Sequence, residues 1–166
     1  MSKLNIKLRS VTLRPKRERD EKFLRMAYES SRDEEFKDVL WESPAQQEAF
    51  FTQQFNAQNI HFANFYGSMD YDIIEFEGKP IGRLALSWES DHLFCVDIII
   101  LPKYRKQSIG SAIMEAIVKE VDRRGITSSL MFEKWKPYLE KFYERYGFKT
   151  TKEHPMHFYM DRPKKS

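Results

Sequence analysis

The sequence holds a single cysteine, Cys95, so no intramolecular disulfide can form and no thiolate pair exists to hold zinc. Its histidines, His61, His92, His154 and His157, form neither an HExxH helix nor a Cys/His ligand spacing, and the near pair His154 and His157 straddles Pro155. They read as surface or packed residues, and no metal is expected. Long hydrophobic runs are missing as well. The longest, Leu93–Leu101, is interrupted by Asp97, and Met1–Leu8 alternates polar and apolar residues where a signal peptide would need an apolar block. Nor does one sign of charge dominate. Lysine and arginine number 28 against 25 aspartate and glutamate, and the resulting +3 is spread among interspersed signs, which describes a solvated surface more than a nucleic-acid footprint. The basic tail Arg162, Lys164 and Lys165 is the one feature that would favour nucleic acid. A cytoplasmic chain with no membrane and no nucleic-acid partner is the expectation. What is present suffices for a core: 41% hydrophobic and 14% aromatic residues can offset the entropy of ordering the chain. Without a linker-like stretch, a repeat or a low-complexity segment, residues 1–166 read as one domain.

Periodicity supplies the elements. Val11–Arg14, closed by Pro15, predicts a strand, and Phe23, Leu24, Ala27 and Tyr28 share one face of a helix over about 18–31. Ser43 before Pro44 reads as an N-cap with proline at the first helical position. It opens a long second helix with Phe51, Phe55, Phe62 and Phe65 along one stripe and a break near Asn56 or Asn59. From Gly67–Asp70 the period changes to that of a hairpin, Ile73 to Phe76 and Ile81 to Trp88 about the turn Glu77-Gly78-Lys79. His92–Leu101 predicts a strand stopped by Pro102, Ser108–Arg124 an amphipathic helix capped by Gly125, Ser128–Phe132 a strand, and Pro137–Tyr146 a helix capped by Gly147. Strands over about 149–153 and 157–160 close the chain. This order implies an α+β fold in α/β/α layers, with about seven strands in a mixed sheet flanked by about four helices.

The stretch from Asp97 to Ser111 carries the chemistry: a strand ends at Pro102 and feeds a helix through Lys103-Tyr104-Arg105-Lys106-Gln107. The free N–H groups of a helix's first turn carry partial positive charge, so a diphosphate fits there, with Arg105 or Lys106 adding full charge. These residues alone also fit a helix start among solvated basic side chains, since GxGxxG and GxxxxGK[ST] are both absent. Their neighbours add a resemblance. The stretch resembles the acetyl-CoA loop of the GNAT superfamily of N-acetyltransferases, in which a strand and proline precede R/Q-x-x-G-x-G/A; Arg105, Ile109 and Gly110 match. Glu133-Lys134-Trp135-Lys136-Pro137 and Phe142-Tyr143-Glu144-Arg145-Tyr146-Gly147-Phe148 resemble that family's EKFNP and LYERLGF segments, and Trp41–Gln58 resembles one bacterial branch. The likeness covers roughly residues 11–163. It departs from the family at Lys106 and Ser108, which stand where glycines are usual, and at Lys136, which stands where asparagine is common.

The resemblance implies a mostly antiparallel GNAT-like sheet, acetyl-CoA as co-substrate, and direct attack by a primary amine of a small molecule or peptide in a ternary complex of a monomer or homodimer. Ile99, Ile100 and Leu101 would offer backbone groups to the pantetheine and thioester. Lys106, Gln107, Ser108, Ile109, Gly110 and Ser111 would hold the diphosphate beside Arg105, with Lys136 near the pantetheine or a phosphate. Tyr143 matches the family's general acid, and packing beside Leu139 and Phe142 is its other reading. Asp97, or Glu75 on the hairpin, could draw the proton from the ammonium through water; structural hydrogen bonding is open to both. Gln54 and Gln58 interrupt an aromatic stripe and would face the acceptor. Asp33, Glu34, Glu35, Asp38 and Glu42 form an acidic run that would draw in a cation or simply be solvated. Cys95, between Phe94 and Val96, reads as a small buried hydrophobe. The alternative function is a catalytically degenerate acyl-CoA sensor, suggested by Lys106, Ser108 and Lys136.

Overall fold

The computed structural model describes residues 4–66 and 68–166; Met1–Lys3, and Gly67 at the predicted change of period, lie outside the described residues. Seven strands form one sheet in the order β1-β2-β3-β4-β5-β7-β6. They are β1 (Val11–Pro15), β2 (Met69–Phe76), β3 (Lys79–Trp88), β4 (His92–Ile100), β5 (Thr127–Glu133), β6 (Lys149–Glu153) and β7 (His157–Arg162). Every neighbouring pair is antiparallel except β4 and β5. Pro15 sits on the edge strand β1, where its missing N–H costs no ladder bond. β3 is buried from Ile81 to Ser87 without alternation, because helices cover both faces of the sheet there.

Helices α1 (Glu21–Ser31) and α3 (Pro44–Phe65) lie on one face, joined by a one-turn helix α2 (Asp33–Phe36). Leu24 and Tyr28 of α1 pack with Phe51 and Phe55 of α3 over Ile73. On the other face α4 (Ile109–Arg124) presents Ile109, Ile113, Met114, Ile117 and Val121 to Ile74, Leu84 and Leu130, and α5 (Tyr138–Glu144) adds Tyr143. The layers, the seven strands and the mixed, mostly antiparallel sheet match the sequence reading; the described residues form five α-helices, the extra one being four-residue α2 within the acidic run. The first predicted helix opens with a 3-10 turn, Glu18–Asp20.

Local chemistry accounts for the ends. The Ser43 hydroxyl accepts from the Gln46 N–H and Pro44 holds the first position of α3. Gly125 closes α4 at φ +64, the left-handed conformation that glycine adopts freely. One expectation fails: α3 runs unbroken for 22 residues through Asn56 and Asn59. Phe51, Phe55 and Phe62, all buried, anchor it on both sides of the asparagines, and packing overrides their weak helix propensity. Phe65 has left the stripe and is 71% exposed.

Candidate active site

Strands β4 and β5 pair only from His92 with Thr127 to Cys95 with Leu130, and then diverge. At the same point β4 carries a bulge: Ala85 pairs with Asp97 but Leu86 with Cys95, leaving Val96 as the extra residue. A bulge bends and twists its strand. From Val96 onward β4 therefore keeps β3 on one side and has no strand on the other, so its outward backbone groups line a wedge.

Three cavities follow this wedge. The first, ≈ 540 Å³, runs from the N-terminus of α4 to α5 and is lined by Ile99, Ile100, Arg105, Lys106, Ser108, Gly110, Ser111, Lys136 and Tyr143, with Arg145 added from α5's end. The second, ≈ 290 Å³, lies at the divergence itself; Tyr143, Ile99 and Lys136 line both. The third, ≈ 300 Å³, opens between α1, α3 and the loop after β5, and shares Gln58, Asp97, Ile99, Glu133 and His157 with the second. The three adjoin along the wedge, with Tyr143 on the wall shared by the first and second and Asp97 on the wall shared by the second and third.

The start of α4 has the geometry of an uncapped helix. Ser108 precedes α4 and makes no side-chain cap, and the first N–H of the helix to find a carbonyl is that of Ala112, bonded to Ser108. The N–H groups of Ile109, Gly110 and Ser111 therefore have no helical partner. A Cβ on Gly110 would sit 3.6 Å from the Ile100 side chain and 3.7 Å from the Phe142 side chain, both on the wall of the first cavity. Arg105 is held at the strand's end by donating its Nε–H to the Ile100 carbonyl at 2.8 Å. Lys106 and Ser108, the two departures from the family's glycines, both adopt left-handed backbone, at φ +59 and +63. Side chains in that conformation cost about 1 kcal/mol each, so the loop keeps a glycine-type path with non-glycine residues.

Not every predicted residue reaches these cavities. Leu101 lines none of them and bonds its N–H to Ile81; Gln107 donates to the Lys103 carbonyl; Ile109 is 1% exposed in the core. Gln54, one turn before Gln58 on α3, lines none either, and Glu75 is tied to Arg14 on β1 and β2. Gln58 and Asp97 do come together, through a residue the sequence reading passed over. Arg83 of β3 is wholly buried. It donates from Nε to Asp97 Oδ2 at 2.6 Å, from one terminal nitrogen to the Tyr71 hydroxyl at 2.9 Å, and from the other to Gln58 Oε1 at 2.5 Å. The rings of Tyr28, Phe62 and Tyr71 surround the guanidinium. Burial works against its charge, but Asp97 and Tyr71 together outweigh burial and hold its pKa above the ordinary value. The signal was a charge inside the apolar run Ile81-Gly82-Arg83-Leu84-Ala85-Leu86, since a buried charge must be paired. His61 and His157, expected to be ordinary surface or packed residues, line the second cavity.

Burial, with Glu133 and Asp97 nearby adding to it, pushes the Tyr143 phenol well above its usual pKa, so it stays protonated across the physiological range. Burial also pushes the Cys95 thiol, on the wall of the second cavity, up to about 12, which suppresses its thiolate. Among the described residues no group of His, Cys, Asp and Glu could hold a metal ion, and no helix is long and apolar enough to cross a membrane.

Splayed parallel strands beside an uncapped helix start place the wedge and the start of α4 side by side, and the comparisons say to which family this α+β fold belongs. The family model "Acetyltransferase (GNAT) domain" matches residues 58–150. The chain belongs to that family. No curated protein matches it significantly. Among solved structures it is similar to a PaiA N-acetyltransferase from Thermoplasma acidophilum in complex with coenzyme A, with a TM-score of 0.70, 16% identity, and coverage of 93% of this chain and 99% of that one. An acetyltransferase from Thermus thermophilus gives 0.67 at 14% identity, covering 93% and 97%. The ribosomal-protein-S18-alanine N-acetyltransferase from Escherichia coli gives 0.60 at 19%, covering 94% and 95%.

Proposed function

We propose that this chain is a single-domain N-acetyltransferase, moving an acetyl group from acetyl-CoA to a primary amine by direct attack in a ternary complex. The observation that carries the reading is the row of three adjoining cavities from the uncapped start of α4, past Tyr143, to Asp97 and Gln58. In this reading the free N–H groups of Gly110 and Ser111, with Arg105 and Lys106, bind the diphosphate, and the unpaired edge of β4 at Ile99 and Ile100 takes the pantetheine. Lys136, 3.8 Å from Glu133, lies near the pantetheine end. The amine enters the third cavity as an ammonium, drawn by Asp97 and Glu133, and passes its proton to one of these carboxylates directly or through water. Its nitrogen then forms the bond to the thioester carbonyl carbon while the carbon–sulfur bond breaks; Tyr143 gives its phenolic proton to the departing sulfur, and the proton the nitrogen sheds as it becomes an amide returns through water to restore the phenol. The suppressed thiolate of Cys95 supports direct attack over an acetylated cysteine.

A second reading, a non-catalytic acyl-CoA sensor, is favoured by the left-handed Lys106 and Ser108. One experiment separates them. Coenzyme A at 100 times its Kd should stabilise the protein by about 2.7 kcal/mol, seen as a raised Tm, and Gly110→Leu should abolish the rise by filling the cradle. Thiol release is then followed with amines, polyamines, aminoglycosides and peptides. A shift without release from any acceptor favours the sensor; no shift at saturating coenzyme A removes both.

A further inference from the structure

Arginine carries only donors, so whichever atom of Gln58 faces Arg83 at 2.5 Å must be the amide oxygen. That contact fixes the amide: its NH2 is left for the third cavity, which Gln58 lines, and it donates to no described residue. A second donor stands on the same cavity. The indole N–H of Trp135 is buried and has no hydrogen-bond partner among the described residues. Buried donors in native proteins are normally paired, and one left over at a cavity wall calls for a partner. The acceptors there are differently placed. Asp97 gives Oδ2 to Arg83, from both Nε and a terminal nitrogen, and its other oxygen has no partner among the described residues. Glu133 lines the cavity beside it.

Of the three carboxylates on this cavity Glu35 is tied to Arg32, so beside His157 the cavity offers the two unspent donors of Gln58 and Trp135 and the carboxylates of Asp97 and Glu133. An ammonium satisfies the carboxylates, but it has no lone pair for Gln58 or Trp135 and repels their N–H groups. A plain polyamine would leave both donors unmatched. We propose that the acceptor site is built for a primary amine carrying a hydrogen-bond-accepting oxygen within a few bonds of its nitrogen, as in an α-amino amide, and that Arg83 is the positioning residue that sets this polarity. The nitrogen lies toward Asp97 and Glu133; the oxygen lies toward Gln58 and Trp135. This rests on the acetyltransferase reading and narrows it.

The test uses two probes of like shape, L-alaninamide and isopropylamine, and reads the ratio of their kcat/KM values in the unmodified protein, Gln58→Leu and Trp135→Phe. Comparing that ratio between proteins cancels the amines' own basicity and reactivity. Each variant should lower the ratio about three- to tenfold, the worth of one net hydrogen bond, with most of the change in the alaninamide value. Each must first show the unmodified protein's Tm rise with coenzyme A, which separates a misfolded variant from a specificity change. Arg83→Lys, which keeps the charge but cannot hold Gln58 and Asp97 together, should lower the ratio as well. An unchanged ratio in both cavity variants overturns the proposal, as does spermidine turning over faster than alaninamide, or coenzyme A binding with neither probe acetylated. Failure of coenzyme A to bind the unmodified protein would instead remove the acetyltransferase reading beneath it.

Discussion

Tyr143 stands where the chain's chemistry meets its packing. Its ring lies 5.2 Å from Phe142 and 6.3 to 6.4 Å from Phe148 and Phe132, while its hydroxyl makes no hydrogen bond to a described residue. Tyr143→Phe keeps those ring contacts and orphans no partner, so stability and coenzyme A affinity should change by well under about 1 kcal/mol. If the phenol supplies the proton to sulfur, turnover should fall by about a hundredfold or more. Because burial raises the phenol's pKa, it should contribute no falling limb to the turnover profile up to about pH 10. Single-turnover kinetics with an active acceptor check this; unchanged chemistry in the variant would return Tyr143 to the core. The tyrosine was legible because it sits in a run of residues that resembles a family segment. Arg83 was not, since a lone arginine in a strand looks the same whether it faces water or a buried carboxylate, and only the register that sets Arg83 opposite Ile99, near Asp97, decides between them. For a related reason the sequence does not tell that Gln58 lines the cavities and Gln54 does not. One helical turn separates them, and the place where a cavity ends is a tertiary fact.

At the scale of elements, most of the order and nearly every end were readable from capping residues, prolines and period. The unbroken α3 and the one-turn α2 were not, because tertiary packing sustains them: Phe51 and Phe55 of α3 pack with Leu24 and Tyr28 of α1 and Ile73 of β2, and Phe36 of α2 packs on Trp41, Phe50 and Phe51. The wedge was hidden too, for nothing in Val96 itself announces a bulge. β3 and β4 approach so closely beside that wedge that a Cβ on Gly82 would lie 2.0 Å from the Ile99 carbonyl oxygen and 3.2 Å from Ile100 Cα. Those are backbone atoms of the paired strand and cannot rotate aside. Gly82→Ala should therefore force the strands apart, lowering stability by about 3 kcal/mol or more and weakening coenzyme A binding with it. Gly110→Ala makes the contrast: its Cβ meets only side-chain tips at ordinary contact distance, 3.6 and 3.7 Å. It should keep or raise stability within about 1 kcal/mol, alanine being the better helix former. Urea denaturation of the two variants checks the pair, and a Gly82→Ala protein as stable as the parent would mean that the strands are not so tightly joined.

For the whole molecule, the two helical layers must both stay fixed to the sheet, and at the entrance to α1 that attachment is electrostatic. Asp20 is 4% exposed; it accepts from both terminal nitrogens of Arg14 on β1 at 2.8 Å and from the Arg17 N–H at 2.8 Å. The Arg14 hydrogen bonds lower its pKa to about 2, against an opposing push from burial. An unfolded aspartate titrates near 4, so between roughly pH 4 and pH 2 the unfolded chain binds more protons than the folded one. The stability this group contributes is thus fully present above about pH 4, and it is lost as pH falls through the folded value. A shift of this size is worth roughly 2 kcal/mol. Asp20→Asn, close in shape but uncharged, should cost about that much at pH 7, and the gap to the parent should close as pH falls toward 2. Urea midpoints at pH 7, 4 and 2.5 follow the convergence. A gap that persists undiminished at pH 2.5 would assign the loss to shape and hydrogen-bond geometry, since at that pH protonation has removed most of the charge's contribution from the parent as well.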